Sequence, residues 1–153
     1  MISVLAAQAA ERSGTGAHRF VHFNNNPIAK RAFDDFYNQD YDRAIRGFET
    51  LAREHPDDPF ATNYLLSAVL FKELYRIGAL ETESYANDSF MDRKASRTLD
   101  PAARARILEL DRRAEAQANR LLAQNPDDVD ALYARGAARA LGDGRRRTGQ
   151  RGA

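Results

Sequence analysis

Several residue types and patterns are missing from this chain of 153 residues, and each absence excludes a class of protein. There is no cysteine, which excludes disulfides, thiolate catalysis and cysteine-based metal sites. No apolar run approaches the roughly 18 residues that a membrane-spanning helix needs, so we expect no membrane span. The formal net charge is only +1. The folded part therefore offers no strongly basic surface for nucleic acid.

Sequence motifs for catalysis or for cofactor binding are also missing. We find no glycine-rich phosphate loop, no His-Glu-x-x-His metal motif and no Ser-His-Asp set in a recognisable context. His18 and His22 lie four residues apart, but no acidic residue stands at ligand spacing, which favours a polar surface pair over a metal site. We therefore predict a protein that is not an enzyme and that holds no cofactor and no metal.

The N-terminal 24 residues lack a sustained hydrophobic period and are predicted to be outside the folded domain. Residues 1–10 are small and apolar, and Ala7-Gln8-Ala9 has the small-x-small form of an export cleavage site. They are either the remnant of an export signal or a weakly helical N-terminus, and the second interpretation is favoured. The compartment accordingly stays open between cytoplasmic and periplasmic or exported.

Helix starts are marked by a capping residue followed by proline. Asn26-Pro27, Asp58-Pro59 and Asp100-Pro101 all have this form, which pairs a side-chain acceptor for the free N–H groups with a residue that needs no N–H at the first helical position. Apolar residues at spacings of three and four follow each start. We predict an all-α protein with about five principal helices: Pro27 to about Tyr37, Tyr41 to a point before Pro56, Phe60 to about Ile77, Pro101 to Gln124, and from near Val129 to Gly142.

A short pattern occurs twice, seventy residues apart. Ala44, Leu51 and Pro56-Asp57-Asp58 recur as Ala114, Leu121 and Pro126-Asp127-Asp128. Small and apolar residues on one face, followed by a proline, describe an amphipathic helix with a defined end. The pattern predicts an antiparallel helical-hairpin repeat over residues 25–142.

Two segments depart from this pattern. Residues 81–99 form a polar insertion in which Tyr85 and Phe90 are isolated apolar points, and long loops inside compact domains are frequently functional. Residues 143–153 contain four Arg and one Asp, and we predict a disordered Arg- and Gly-rich tail. Because the tail carries +3, the rest of the chain carries −2.

These residues resemble the tetratricopeptide repeat, a helix–turn–helix unit of 34 residues. Ala32, Ala44, Phe48, Leu51 and Pro56 fall on the small, aromatic, leucine and proline positions of its pattern, and the likeness extends to bacterial tetratricopeptide proteins of undefined role. The resemblance implies an α-solenoid whose first helices line a concave groove that takes a peptide or protein segment. The candidate groove residues are Asn26, Phe33, Phe36, Tyr37, Asn63 and Tyr133. For Phe33 and Phe36, core packing is favoured over ligand contact.

Three functional hypotheses follow. The first is a protein-interaction scaffold with a protein or peptide partner of unknown identity, in which Tyr85 and Phe90 of the insertion offer further contacts. The second is a nucleic-acid-associated protein that acts through Arg145, Arg146, Arg147 and Arg151. The third is a regulatory fragment of a longer, exported repeat protein, since a repeat array normally ends in a polar capping element. The uncapped last helix could also support a homodimer.

Overall fold

The computed structural model describes Phe23, residues 25–80 and residues 99–149, with side chains described as far as Leu141. Apart from Phe23, these residues form five α-helices and no strand, which confirms the all-α prediction. The helices are α1 (Pro27–Tyr37), α2 (Tyr41–Glu54), α3 (Pro59–Arg76), α4 (Pro101–Gln124) and α5 (Val129–Gly149). None of the described helices is long and apolar enough to cross a membrane.

Each helix begins where the capping chemistry predicts. A side-chain oxygen accepts a hydrogen bond from a backbone N–H in the first turn of every helix; at α3, for example, Asp58 Oδ1 accepts from the N–H of Phe60 at 2.8 Å. This satisfies one of the donors that the helix itself leaves unpaired. The capping residues are Asn26, Asp40, Asp58, Asp100 and Asp128.

Two helices end through the same left-handed backbone turn. Gly78 after α3 has φ 65° and Gln39 after α1 has φ 62°. In both turns the next N–H bonds back five residues, from Ala79 to Leu74 O at 2.8 Å and from Asp40 to Asp35 O at 2.9 Å, which is the Schellman arrangement. Gly78 therefore ends α3 close to the predicted end at about Ile77.

The end of the last helix was predicted at Gly142, and this prediction is wrong. The helical backbone of α5 continues to Gly149. A glycine within a helix lowers its stability by about 1 kcal/mol but does not by itself end it. At the end of α3, by contrast, Gly78 adopts a left-handed backbone that stops the helix.

Small residues set the distance between α1 and α2. Ala32 of α1 and Ala44 of α2 are buried, and a Cβ built on Gly47 would lie only 2.7 Å from the Cβ of Ala32. Helices approach this closely only where side chains are small. The α1–α2 hairpin is therefore packed through alanine and glycine.

The core surrounds α3, which contributes more buried residues than any other described helix. Its neighbours are α2, α4 and α5 along the backbone, and α1 through aromatic side chains. The largest fully buried apolar side chains are Phe48, Leu51, Phe60, Leu66 and Ile107. The helix α3, which is apolar on most of its surface, is thus the central element of the fold.

Polar groups connect α2 and the turn after it to α4. Arg106 pairs with Glu49, and Gln117 Nε2 donates to the backbone oxygen of Pro56 at 2.6 Å. Other charged side chains of α4 also reach beyond the helix: Arg120 pairs with Asp57 and Glu115 with Arg139 of α5. These side-chain contacts link α2 to α4, while α1 contacts α3 through aromatic rings and α3 contacts α5.

Candidate functional site

Five aromatic rings form a continuous row across three helices. Phe33 and Tyr37 belong to α1, Tyr64 and Phe60 to α3, and Tyr133 to α5. The ring centroids are 6.4 Å apart for Tyr37 and Phe33, 4.8 Å for Phe33 and Tyr64, 6.4 Å for Tyr64 and Phe60, and 6.1 Å for Phe60 and Tyr133. These separations lie in the range of favourable ring contacts. We call these five residues the aromatic row.

The two ends of the aromatic row are open to solvent, whereas its middle is covered. Tyr37 is 77% exposed and Tyr133 is 58% exposed, while Phe60 is only 2% exposed. Phe33 and Tyr64 are half-buried. The buried rings therefore hold two tyrosines in place without covering them, and both present a flat apolar face with a polar hydroxyl.

The phenol of Tyr64 stays protonated at neutral pH. Burial, followed by the nearby Asp58 carboxylate and Tyr133, raises the pKa of Tyr64 to about 12. A phenol with this pKa is a hydrogen-bond donor and not an acid or base for catalysis near pH 7. The chemistry of the aromatic row is therefore stacking and hydrogen bonding.

The remaining candidate groove residues have other contacts. Asn26 is the cap of α1, and its Oδ1 accepts from the N–H groups of Ile28 and Ala29 at 2.9 and 3.1 Å. Asn63 is 5% exposed, and its Nδ2 donates to the backbone oxygen of Ala134 in α5 at 2.9 Å. Asn26 and Asn63 thus shape the site by fixing a helix end and a helix pair.

Phe36 lies one turn along α1 from Phe33 and packs on a different part of α3. Its ring is edge-on to Phe71 at 5.4 Å and to Tyr41 of α2 at 5.7 Å. Among the described rings of the aromatic row, Phe36 contacts that of Tyr37, at 5.6 Å. Phe36 therefore couples α1 to α2 and α3 instead of extending the row.

Sequence reasoning did not single out two aromatic residues of this region. Phe60 links Tyr64 to Tyr133, and Phe23, from the segment placed outside the domain, is 3% exposed. The Phe23 ring is edge-on to Tyr64 at 5.9 Å and to His55 at 5.3 Å. No periodic pattern surrounds Phe23 in the sequence, so composition and spacing carried no signal for it.

Several predicted positions lie outside the described residues. These are Tyr85 and Phe90 of the insertion, the pair His18 and His22, and Arg151; the side chains of Arg145, Arg146 and Arg147 are likewise not described. Among the residues that are described, no group of three or more His, Asp or Glu side chains is placed to hold a metal ion.

A second polar region surrounds the C-terminal end of α3. The Glu73 carboxylate is buried, and accepts from Arg76 at 2.9 and 2.6 Å and from the backbone N–H of Asp100 at 2.6 Å. The hydrogen bonds from Arg76 are the main cause that lowers the pKa of Glu73. Glu73 thereby ties the start of α4 to the end of α3.

A cavity of about 600 Å³ lies beside Glu73, and three cationic side chains are among its lining residues. Lys72 pairs with Asp42, Arg76 with Glu73, and Arg106 with Glu49. Because each cation already has a carboxylate partner, the cavity has no excess charge to attract an anionic ligand. The aromatic row is therefore the stronger candidate site.

Comparisons with known proteins give no match to this chain. No family model, no curated protein and no solved structure matches the chain.

Proposed function

We propose that this protein is an interaction scaffold that binds an extended or helical segment of another protein across the aromatic row. The observation that carries the proposal is the row itself, with buried rings in its middle and exposed tyrosines, Tyr37 and Tyr133, at its ends. Tyrosine is enriched among the residues that dominate binding energy at protein interfaces.

The order of helix contacts supports a tetratricopeptide-like arrangement. In such a repeat array the first helices of successive hairpins lie next to one another, and so do the second helices. Here α1 contacts α3 through Phe33 and Tyr64, and α3 contacts α5, while Arg106 joins α4 to α2. The aromatic row crosses α1, α3 and α5, the helices that line the groove in that family.

The exposed rings suit a partner that supplies apolar, aromatic or proline side chains. Tyr37 and Tyr133 are held by stacking on Phe33 and Phe60 at interplanar angles of 25° and 16°, so little side-chain freedom is lost when a partner covers them. Such preorganisation increases affinity because fewer rotamers have to be ordered on binding.

The proposal is tested by selecting peptides from a random displayed library on the full chain and measuring their affinity by calorimetry. A selected synthetic peptide should bind the Tyr37→Ala and Tyr133→Ala variants at least about tenfold more weakly, which corresponds to ~1.4 kcal/mol for each ring.

Tyr75 supplies the matched control, because it is 54% exposed but lies outside the aromatic row. Tyr75→Ala should leave peptide affinity unchanged. The scaffold proposal is rejected if no peptide distinguishes the wild-type chain from the Tyr37→Ala/Tyr133→Ala double variant. Equal weakening by Tyr75→Ala would mean that the aromatic row is not the binding surface.

A further inference from the structure

Helix α5 has apolar residues on two opposite sides. Ala131, Ala134 and Ala138 are fully buried against the rest of the protein. At 100° per residue, a second group of apolar residues lies on the opposite side of the helix, and all its members are exposed. This outer stripe consists of Val129, Leu132, Tyr133, Gly136 and Ala140.

Between Val129 and Ala140, the outer stripe contains no charged residue. Val129 is 67% exposed and Leu132 is 42% exposed. The nearest described cation on the same helix, Arg139, turns aside and pairs with Glu115 of α4 at 3.0 Å. A surface helix ordinarily carries polar residues on the side that faces water, and a continuous exposed apolar surface marks an interaction site.

We propose that the outer stripe binds the outer stripe of a second copy of this chain, with the two α5 helices antiparallel and related by a two-fold axis at Gly136. The spacing of the stripe carries this choice of partner. Leu132 and Ala140 both lie four residues from Gly136, one before it and one after it. In an antiparallel pair, Leu132 of one chain therefore faces Ala140 of the partner subunit, and the reverse contact follows from the symmetry.

Side-chain size distinguishes this arrangement from a parallel pair. A large side chain opposite a small one fills the space between two helices, whereas parallel pairing would place leucine against leucine and alanine against alanine. At the axis, a Cβ added to Gly136 would meet no atom of its own chain within 4 Å, so this side of α5 is open to close approach by another helix.

The surface area of the outer stripe sets the expected affinity of the dimer. Stable interfaces usually bury about 800 Å² on each partner, and one helical stripe of five residues provides less. We therefore expect a reversible dimer with a dissociation constant in roughly the micromolar range. Sedimentation equilibrium on the full chain should show a mass that rises with concentration from 17.1 kDa towards twice that value.

The first variant tests whether the outer stripe forms the dimer interface. Leu132→Glu places a carboxylate on the outer stripe and should raise the dimer dissociation constant at least about a hundredfold. Leu80→Glu is the matched control, since Leu80 is 39% exposed and is not part of the outer stripe; its dimer should match that of the wild type. Circular dichroism serves to check that both variants are folded.

The second variant tests the antiparallel register. Leu132→Ala alone should weaken the dimer, and the double change Leu132→Ala/Ala140→Leu should restore it, because the large and small side chains then exchange places across the interface. A chain that stays monomeric at all concentrations overturns the proposal, as does a dimer that Leu132→Glu leaves intact. Failure of the double variant to restore association overturns the antiparallel register.

The dimer and the scaffold function can fail independently. Tyr133 belongs to both the outer stripe and the aromatic row, so a second copy and a peptide compete for it, whereas Leu132 and Ala140 belong to the outer stripe alone. Peptide affinity should therefore persist or increase in the monomeric Leu132→Glu variant. Loss of the dimer with retained peptide binding would support the dimer interface and leave the scaffold proposal standing.

Discussion

Replacing Gly47 by alanine tests the close packing of α1 against α2. In a helix with free surroundings this change stabilises the protein by about 0.5–1 kcal/mol, because alanine loses less backbone entropy on folding than glycine. In this protein the new methyl group would lie 2.7 Å from the Cβ of Ala32 and 3.4 Å from its Cα. Carbon atoms in favourable contact lie about 3.5–4.0 Å apart, so one helix has to move.

The two effects have opposite signs, and the steric effect is the larger. Overpacking a core costs typically ~1–3 kcal/mol. The atoms nearest the new methyl group are Cβ and backbone atoms of Ala32, which can move only together with the helix. After subtraction of the gain in helix propensity, Gly47→Ala should lower the free energy of unfolding by about 1 kcal/mol. For a chain of this size the melting temperature should fall by roughly 3 °C.

Urea unfolding followed by circular dichroism measures the change, and Gly136→Ala on α5 is the matched control. No atom lies within 4 Å of a Cβ added at Gly136, so this variant should be stabilised, when measured at a dilution where the chain is monomeric. The double variant Ala32→Gly/Gly47→Ala should be more stable than the sum of its single changes, because only one methyl group then remains at the contact. If Gly47→Ala were as stable as the wild type, the close-packing argument would be refuted.

Three further predictions concern helix ends and buried ionisable groups. Gln39→Gly should stabilise the protein by about 1 kcal/mol and Gly78→Gln should destabilise it by a similar amount in urea unfolding, because both positions have a left-handed backbone. Glu73→Gln should lower the free energy of unfolding by about 2 kcal/mol at pH 7. Since the folded pKa of Glu73 lies below its ordinary value of 4.5, this difference should be complete above pH 4.5 and should vanish in unfolding curves recorded as pH falls through the folded pKa. The raised pKa of Tyr64, about 12 against an ordinary 10.0, means that stability should fall as pH rises from 10.0 to about 12, and Tyr64→Phe should remove that part of the loss in alkaline unfolding curves.

The helix starts could be predicted from the sequence because their chemistry is local. A capping side chain and the N–H that it accepts from lie two or three residues apart, so Asp58 and Phe60, or Asp100 and Ala103, form their bond in whatever way the helices later pack. The starts of α3 at Pro59 and of α4 at Pro101 follow from such signals.

Contacts between helices could not be predicted in this way. The bond from Asn63 to Ala134 joins residues 71 positions apart, and the bond from Asp100 to Glu73 joins residues 27 apart. A helical period places Asn63 on a face of α3, but it does not say which helix covers that face. The sequence suggested a groove role for Asn63, whereas its side chain is buried between α3 and α5.

The candidate site was only partly predictable for the same reason. Phe33, Tyr37 and Tyr133 were expected near one another because the resemblance to tetratricopeptide repeats places them on first helices. The two rings that connect them, Tyr64 and Phe60, have the spacing of ordinary core residues, and only the packing of α3 between α1 and α5 makes them the middle of the aromatic row.

Helix α5 shows why periodicity alone cannot separate core from interface. Its buried alanines and its exposed outer stripe both recur at helical spacing. The outer stripe is the more hydrophobic of the two in the sequence, since it contains valine, leucine and tyrosine, whereas the fully buried described residues of α5 are all alanine. An interpretation by hydrophobicity would have turned the larger residues inward. The structure does the reverse because alanine permits α5 to lie close to α3, so that Asn63 can reach the backbone of Ala134 at 2.9 Å. The larger apolar residues are thereby left on the outside, which is the arrangement expected of a helix that has a second surface to bury.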